Sequence, residues 1–302
     1  MTSLSGETMG TRWSAKIVGG GPDLAGEIQG MLDRIVAEMS HWEAGSHISR
    51  FNRSAPGRWQ PLPRDFETVL KAALDVAGAS GGAFDPAMGV LADLWGFGPS
   101  GARPFPDDAA VADALANSGA RHIEQDGRRA RRLAPAQLDF SGIAKGYGVD
   151  AVAGRLLGLG HRDFLIEVGG ELRGEGIKPD GQPWWVDLEA VPGATLASIR
   201  IALHGLSVAT SGDYRRAFIH NGKSYAHTLD PRTGRPLENR VASVTLLHPC
   251  CMLADAWATA LTVLGPEGMA LAEREGLAAH MVVRTGGGFE EFLSPKLRAM
   301  ID

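Results

Sequence analysis

The hydrophobic and polar positions of the chain follow two periods, one typical of helices and one typical of strands. From Asp23 to Met39 the apolar residues recur every three or four positions, which predicts an amphipathic helix. The same period predicts further helices at 63–79, 88–95, 107–118, 142–157, 252–264 and 266–275. Alternating or continuous apolar runs predict strands at 11–18, 163–168, 184–188, 197–203, 241–248 and 278–284. Helices therefore dominate the first third of the chain, and strands mixed with helices follow.

Two short turn signals indicate how the strands are connected. Asp126-Gly127 lies inside one predicted hairpin, and Asn221-Gly222 lies inside another. Two-residue turns of this kind join antiparallel strands. They therefore favour an α+β fold, with mixed or antiparallel sheets and packed helices, over a doubly wound parallel sheet.

Composition narrows the class of protein. The chain has 302 residues, with 30 Lys+Arg against 35 Asp+Glu and 44% hydrophobic residues. That apolar content is enough for a globular protein of one or two domains. The formal net charge of −5 argues against a nucleic-acid binder, and no apolar run of about 18 residues predicts a membrane-spanning helix. The Gly- and Pro-rich stretch 96–106 predicts a linker or a lid.

The cysteines and the N-terminus provide evidence about the cellular compartment in which the protein works. Cys250 and Cys251 are adjacent, so they are neither a disulfide framework nor a spaced metal-binding pair, and we expect buried thiols. The first five residues lack the basic and apolar regions of a secretion signal, so we expect no signal within this chain.

A segment of small residues around Lys145 is the first candidate for chemistry. Between Leu138 and Gly148 the sequence predicts a short strand that ends at Asp139 and then a helix. Small residues let a ligand approach the backbone, the N–H groups of a helix start favour a phosphate, and Lys145 adds a compact positive charge. The spacing of a P-loop is absent. Asp139 or Ser141 as a plain helix cap is the alternative.

A carboxylate and a hydroxyl one helical turn apart form the second candidate. Asp255 and Thr259 are four residues apart in a predicted helix, so they share one face. Both offer hard oxygen ligands, which suit Mg²⁺. An ordinary cap or surface pair is the alternative.

Two further segments carry polar groups near predicted turns. His227 precedes an Asp-Pro-x-Thr-Gly turn, where a histidine could move a proton, although a structural histidine is the alternative. The segment Val208 to Arg215 predicts a turn with two hydroxyls that could hold a phosphate or a ribose, or an ordinary turn. The Gly-x-Ser-x-Gly pattern of serine hydrolases is absent.

These segments occur together with five other short motifs in a fixed order. The motifs are Thr8-Met9-Gly10-Thr11, Arg50-Phe51-Asn52, Ala83-Phe84-Asp85-Pro86, Trp95-Gly96-Phe97-Gly98 and Val168-Gly169-Gly170-Glu171. In this combination the chain resembles the ApbE family of FAD:protein FMN transferases, from about Gly6 to about Arg284. The resemblance implies an ApbE-like α+β fold and a single domain over 1–302, with a subdivision near 96–106 as the alternative.

The resemblance also implies a reaction and a metal site. In the family, the pyrophosphate of FAD is cleaved with Mg²⁺, FMN is joined to a Ser or Thr hydroxyl of an acceptor protein, and AMP leaves. The implied Mg²⁺ ligands are the Asp255 carboxylate, the Thr259 hydroxyl and the backbone carbonyl of Gly142. Ala258 stands where some members have an acidic residue.

The same resemblance assigns the contacts with FAD and the catalytic groups. Lys145 is expected to neutralise charge on the pyrophosphate, and His227 to act as general base for the acceptor hydroxyl. Trp42 is expected to stack on a ring of FAD. The implied flavin contacts are Met9, Trp42, Ala83, Phe84, Asp85, Asp139, Lys145 and Leu229.

Two other functions remain open on the sequence alone. One is a pyrophosphatase that hydrolyses FAD to FMN and AMP, and the other is an FAD-binding or assembly protein without turnover. The expected partners are FAD and an acceptor protein, with no nucleic acid, and with membrane contact only through the acceptor. The resemblance implies a periplasmic or membrane-facing location, and the missing signal makes the cytoplasm the alternative.

Overall fold

A computed structural model describes residues 1–214, 217–220 and 222–301, and its contacts cluster into two compact units. The first unit comprises Met1–Ile35, Ile143–Gly212 and Arg240–Asp302, and the second comprises Val36–Gly142 and Asp213–Asn239. The stretch 96–106 lies inside the second unit, and the single domain over 1–302 stays a prediction. In the described part of the chain, no helix is both long and apolar enough to cross a membrane.

The α-helices and strands have the following bounds. The helices are α1 (Leu24–Met39), α2 (His47–Arg53), α3 (Arg64–Ala79), α4 (Gly89–Leu94), α5 (Asp108–Ala116), α6 (Ala144–Gly158), α7 (Cys251–Leu264), α8 (Gly268–Arg274) and α9 (Pro295–Ile301). The first strands are β1 (Thr2–Thr8), β2 (Thr11–Ile17), β3 (Gln60–Pro61), β4 (Ile123–Asp126), β5 (Arg129–Arg132), β6 (Phe164–Val168), β7 (Glu171–Glu175), β8 (Trp184–Asp187) and β9 (Arg200–Leu203). The remaining strands are β10 (Leu206–Gly212), β11 (Ala217–His220), β12 (Lys223–Ala226), β13 (Leu229–Asp230), β14 (Arg235–Pro236), β15 (Val241–His248), β16 (Ala278–Thr285) and β17 (Gly288–Leu293).

The first unit is built on an eight-stranded sheet. Its strand order is β1-β2-β6-β7-β10-β15-β16-β17, and each neighbouring pair is antiparallel. The predicted α+β fold with antiparallel sheets and packed helices is therefore confirmed.

Both faces of the middle of this sheet are covered, which explains the long apolar run of β15. Val208 of β10 and Leu247 of β15 are cross-strand partners and join a buried cluster with residues of β8, β9 and α9. Ala209 and Leu246 alternate with them and are also buried, while α7 packs on β10 and β15. A strand that is covered on both faces needs apolar residues at successive positions rather than at every second one.

The second unit combines helices with small sheets and has an aromatic core. Its sheets are β3-β5-β4, β11-β12 and β13-β14. The Phe66 ring packs between the rings of Phe51 and Phe140, at centroid distances of 6.3 and 5.1 Å. All three side chains are buried, so helices α2 and α3 and the segment before α6 share one core.

Several elements differ from the sequence-based predictions. The segment 208–215 was predicted as a turn, either one that could hold a ligand or an ordinary one. Its part 208–212 belongs to β10, so the prediction of a turn at the two hydroxyls is wrong. No strand ends at Asp139, and the strand predicted to carry His227 stops at Ala226. Asn221 of the second predicted turn, and Arg215, lie outside the described residues. No sequence pattern predicted β1, α2, β7, β17 or α9, which are short or strongly polar.

Candidate active site

Lys145 forms an ion pair with a buried carboxylate at the start of α6. It is the second residue of this helix, and its Nζ contacts a carboxylate oxygen of Glu171, the first residue of β7. The Glu171 side chain is fully buried, whereas 27% of the Lys145 side chain is exposed. A carboxylate is costly to bury without an opposite charge. The pair therefore holds the ammonium group where a ligand can reach it.

A turn of two glycines brings Glu171 to this position. Gly169 and Gly170 have φ values of +61° and +101°, and they join β6 to β7 as a tight hairpin in which Val168 pairs with Glu171. A Cβ on Gly169 would lie 2.8 Å from Cγ2 of Thr11. Glycine is required there for both reasons, so the Gly-Gly motif is the local cause of the Lys145–Glu171 pair.

Asp255 of α7 faces the same end of α6. Its side chain is only 7% exposed, and its Oδ2 accepts a hydrogen bond of 3.1 Å from the backbone N–H of Gly146. The two helices approach so closely that a Cβ on Gly146 would lie 2.4 Å from the carbonyl oxygen of Cys251. The first turn of α6 thus brings the Lys145 cation and the Asp255 carboxylate to adjacent positions of one helix.

The predicted metal ligands offer the donor types that Mg²⁺ takes in proteins. Thr259 follows Asp255 by one turn of α7 and is half-buried, and Gly142 lies in the turn that precedes α6. Ala258 is buried and adds no ligand atom. Among the described residues, no group of three or more His, Cys, Asp or Glu side chains could hold a metal ion. Mg²⁺ commonly uses one or two carboxylates, waters and substrate phosphates, so this oxygen set fits it.

Met9 lies in a strained turn beside α6. It joins β1 to β2 with Gly10, and its φ of +50° is in the left-handed region, which is uncommon for residues other than glycine. Its Cε lies 3.2 Å from the position that a Cβ on Gly148 of α6 would occupy. The first unit therefore gathers Met9, Lys145 and Asp255 around the first two turns of α6.

The second unit contains a groove with two of the predicted flavin contacts. It has a volume of about 410 Å³, and its lining includes Trp42, Asp139, Arg53 and Gln137. The Trp42 indole is 48% exposed and is tilted against the ring of His41 at a centroid distance of 5.4 Å. An exposed indole beside a groove with both apolar and polar lining residues is suited to stacking on a planar ring.

Asp139 is oriented by its neighbours in this groove. Its Oδ1 accepts a 2.8 Å hydrogen bond from the Ser141 N–H and lies 3.4 Å from Nδ1 of His41. The preceding residue, Leu138, is held by the Asn52 side chain, which donates to the Leu138 carbonyl and accepts from its N–H, both at 2.8 Å. The Ser141 contact closes a short turn before α6 and does not cap that helix. Helix α6 has Ile143 at its N-cap and no side-chain cap, so the alternative of Asp139 or Ser141 as a helix cap is wrong.

The loop after α3 holds three predicted flavin contacts, and its geometry is mainly structural. The side chains of Ala83 and Phe84 are buried. The Asp85 carboxylate accepts hydrogen bonds from the N–H groups of Ala87 and Ala120, at 2.8 and 2.9 Å. Burial outweighs these hydrogen bonds and raises the pKa of Asp85. Contacts of Ala83 and Phe84 with a flavin would therefore involve backbone atoms.

His227 lies between β12 and β13, half-buried and edge-on to an aromatic ring. Its ring centroid is 6.3 Å from that of Phe97, at an interplanar angle of 72°. The following turn is closed by hydrogen bonds from the N–H groups of Thr233 and Gly234 to the Asp230 carbonyl, at 3.2 and 2.8 Å. The predicted Asp-Pro-x-Thr-Gly turn is therefore present after His227.

Leu229, the last predicted flavin contact, belongs to the core of the second unit. It is buried in a cluster with Leu91, Trp95 and Val111. Trp95 in turn donates from its indole Nε1 to the Gly234 carbonyl at 2.8 Å. The side chain of Leu229 is thus used in packing.

The structure adds residues that the sequence analysis did not single out. His41 pairs with Asp139, and Asp150 of α6 accepts three hydrogen bonds at the start of α7. The only local signal for His41 was its position next to Trp42, a predicted flavin contact. Asp150 had none, because its partners are about a hundred positions away along the chain.

The two cysteines are protected thiols, as expected. Cys251 is fully buried, and Cys250 is partly buried with its Sγ 3.1 Å from Oδ2 of Asp150. Burial and the nearby Asp150 carboxylate raise the pKa of the Cys250 thiol to about 12. Burial and the surrounding carboxylates also raise the pKa of Cys251.

Comparison with known proteins defines the class of protein to which this fold and site belong. The sequence model of the ApbE family matches residues 9–281. The chain is similar to the crystal structure of the apo form of the Pseudomonas stutzeri flavinyl transferase ApbE, with a TM-score of 0.92, 39% identity, and coverage of 99% of this chain and 96% of that chain. It is also similar to the crystal structure of the ApbE protein of Thermotoga maritima, with a TM-score of 0.89, 28% identity, and coverage of 100% and 99%.

A curated relative agrees with the structural neighbours. A Vibrio cholerae serotype O1 protein, named FAD:protein FMN transferase, is 38% identical over 309 residues, which cover 99% of this chain and 92% of that protein. The chain therefore belongs to the ApbE family, and the predicted resemblance is confirmed.

The thiol environment leads to a prediction about reactivity. Because the pKa of the Cys250 thiol is raised to about 12, its thiolate fraction at pH 8 is lower than that of an ordinary thiol by about 10³-fold. We expect Ellman's reagent to modify the folded protein about 10³-fold more slowly than the protein unfolded in guanidinium, in which both thiols react. Rapid modification of one thiol in the folded protein would contradict this environment.

Proposed function

We propose that this chain transfers FMN from FAD to a Ser or Thr hydroxyl of an acceptor protein, with Mg²⁺, and releases AMP. The family membership and the name of the curated relative support the reaction. The observation that carries the proposal is the cluster at the start of α6, where the Lys145–Glu171 ion pair adjoins the Asp255 carboxylate bound to Gly146. Two carboxylates and one ammonium group carry a net negative charge, so the cluster suits a divalent cation. With Mg²⁺ bound, its charge would become positive and would suit the phosphates of FAD.

The residues of α6 and α7 supply charge and ligands for the pyrophosphate. Asp255, Thr259 and the carbonyl of Gly142 would hold Mg²⁺, which supplies charge neutralisation on the phosphate oxygens when bound. Lys145 contributes a second positive charge, and Glu171 fixes its direction. Phosphoryl transfer depends mainly on such positioning and electrostatic stabilisation.

His227 is the proposed proton acceptor. The hydroxyl oxygen of the acceptor forms a bond to the phosphorus on the FMN side of the pyrophosphate, while the bond from that phosphorus to the bridging oxygen breaks. AMP leaves with the electron pair of the broken bond, and the hydroxyl proton moves to the imidazole of His227. The edge contact with Phe97 restricts the orientation of the imidazole ring.

The groove of the second unit is the proposed site for a planar ring of FAD. Its exposed Trp42 indole offers a stacking surface, and Asp139 offers a hydrogen-bond acceptor oriented by Ser141 and His41. Met9, Ala83, Phe84, Asp85 and Leu229 complete the proposed set of flavin contacts. The proposed location is periplasmic or membrane-facing, with the cytoplasm as the alternative. The enzyme would contact a membrane only through its acceptor.

One incubation tests the proposed reaction against its alternatives. The protein is mixed with FAD, Mg²⁺ and a candidate acceptor domain, and the products are analysed by intact-protein mass spectrometry and chromatography. We expect a covalent FMN adduct on the acceptor together with free AMP. Free FMN and AMP without an adduct would indicate FAD hydrolysis, and unchanged bound FAD would indicate a protein without turnover.

The metal assignment predicts a graded loss of activity. Asp255→Ala removes a charged ligand, so Mg²⁺-dependent turnover should fall below detection while circular dichroism still indicates a folded protein. Thr259→Val removes a neutral ligand, so the loss should be smaller and partly restored by higher Mg²⁺. Wild-type turnover of purified, folded Asp255→Ala protein would contradict the metal site.

The stacking role of Trp42 predicts weaker FAD binding. Trp42→Ala should weaken the binding free energy of FAD by about 1–3 kcal/mol, which is the range for losing a well-covered aromatic contact. Flavin fluorescence is used to measure the binding. Trp185→Ala is the matched control, because that indole is 50% exposed on β8. Equal dissociation constants for the two variants would remove Trp42 from the site.

The general-base role of His227 predicts a defect in rate rather than in binding. His227→Ala should bind FAD almost normally but transfer FMN about 10²–10⁴-fold more slowly in a single turnover at saturating FAD and acceptor. His204→Ala, which changes an exposed histidine, should transfer at the wild-type rate. A fast His227→Ala variant with lowered thermal stability would assign His227 to structure instead.

A further inference from the structure

Helices α6 and α7 each begin without a capping side chain of their own. Neither Ile143, before α6, nor Cys250, before α7, caps its helix with a side-chain hydrogen bond. The first N–H groups of a helix have no partner inside the helix, and leaving them unpaired in the interior is costly. Each helix must therefore obtain acceptors from elsewhere.

Each helix obtains them from a carboxylate of the other. Asp150 of α6 accepts hydrogen bonds from the N–H groups of Cys251 and Met252, at 3.0 and 2.9 Å. In the opposite direction, Asp255 of α7 accepts from the N–H of Gly146 at 3.1 Å. The capping is reciprocal, and the two carboxylates act across a helix pair rather than within one helix.

The spacing of these contacts fixes the register of the two helices. Gly146 and Asp150 are four residues apart on α6, and Cys251 and Asp255 are four residues apart on α7, so each pair lies on one helical face. Asp150 meets the start of α7, and Asp255 meets the start of α6, so the helices run antiparallel. A shift of one residue along either helix would break both sets of hydrogen bonds.

Further contacts hold Asp150 in this position. The Arg173 guanidinium of β7 contacts Oδ1 of Asp150 at 3.0 Å and the Pro249 carbonyl, just before α7, at 2.5 Å. It also pairs with Glu175. Cys250 donates its Sγ–H to Oδ2 of Asp150 at 3.1 Å. The Asp150 carboxylate is thus charge-paired and fully used for holding the start of α7.

We propose that Asp150 is a positioning residue for Asp255, the carboxylate assigned to the metal. By fixing the start of α7, Asp150 sets the position along α6 at which Asp255 binds the N–H of Gly146. Gly146 is the residue next to Lys145. The proposal rests on the proposed function, because it gives Asp255 a metal-binding role. Partners that orient metal ligands typically contribute about 10–100-fold to metal affinity.

Asp150→Asn is the main test, because it keeps the size of the side chain and replaces one acceptor oxygen by a donor. Mn²⁺ binding in the presence of FAD is measured by electron paramagnetic resonance on protein without acceptor. We expect Mn²⁺ to bind about tenfold or more weakly, while the dissociation constant of FAD without metal changes less than twofold. Cys250→Ser keeps a donor to Asp150 and serves as the matched control, with wild-type Mn²⁺ binding.

Amide hydrogen exchange supplies a readout that requires no metal. In Asp150→Asn, exchange should speed up at Cys251 and Met252 and also, at least about tenfold, at Gly146 across the helix pair. Loss of a local cap alone would speed exchange only at Cys251 and Met252. All measurements are made at a temperature at which circular dichroism shows that the variant is folded. Asp150→Glu provides a second variant that retains the carboxylate, and it should recover part of the metal affinity.

The outcomes separate this proposal from the proposed function. If Asp255→Ala binds Mn²⁺ like the wild type, the metal assignment fails and the positioning role fails with it. If Asp255→Ala loses Mn²⁺ but Asp150→Asn retains wild-type affinity and wild-type exchange at Gly146, only the positioning role is overturned. Weaker Mn²⁺ binding together with faster exchange at Gly146 supports it.

Discussion

The close approach of α6 and α7 at Gly146 is the constraint on which the candidate site of the first unit depends. A side chain at Gly146 would collide with the backbone of Cys251, so only glycine allows the two helices to meet there. At that distance no water layer separates the helix starts, and their N–H groups need acceptors from the protein. Asp150 and Asp255 supply them, and the same geometry leaves Lys145 beside Asp255.

The sheet sets the position of this helix pair. Helix α7 packs on β10 and β15, whose apolar residues are buried at successive positions. The β6–β7 hairpin, closed by Gly169-Gly170, delivers Glu171 to Lys145 from the same sheet. Because strands, hairpin and helices are packed together, the charged groups are held by rigid elements. This rigidity favours a preorganised site for a divalent cation and a phosphate ligand bound to it.

Many of the helices and strands could be predicted from the sequence, because they depend on local patterns of apolar and polar residues. The helical period of apolar residues in α7 and the apolar run of β15 both result from burial. The short motifs, taken in their order along the chain, are enough to indicate the family. The segment 208–212 was misassigned because Thr, Ser and Gly are locally typical of turns. Pairing with β7 and β15 outweighs that preference, since it buries Val208 and Ala209.

Other features had no local signal. Asp150 meets Cys251 across a hundred residues, and His41 meets Asp139 across a similar distance, so their roles appear only when the chain is folded. Asn52 occurred in a family motif, but its pairing with both backbone groups of Leu138 is equally non-local. Sequence patterns and the family resemblance indicated candidate groups for the site, and long-range hydrogen bonds determine how Asp139 and Asp255 are oriented.

The most direct test of the account is to locate the metal. Crystals of the protein with FAD and Mn²⁺, which substitutes for Mg²⁺ and scatters anomalously, would give its position without reference to activity. The account predicts an anomalous peak about 2.0–2.3 Å from an Asp255 carboxylate oxygen and the Thr259 hydroxyl oxygen, adjoining the phosphates of FAD. An occupied metal position away from α7, with Asp255 still bound to Gly146, would contradict it.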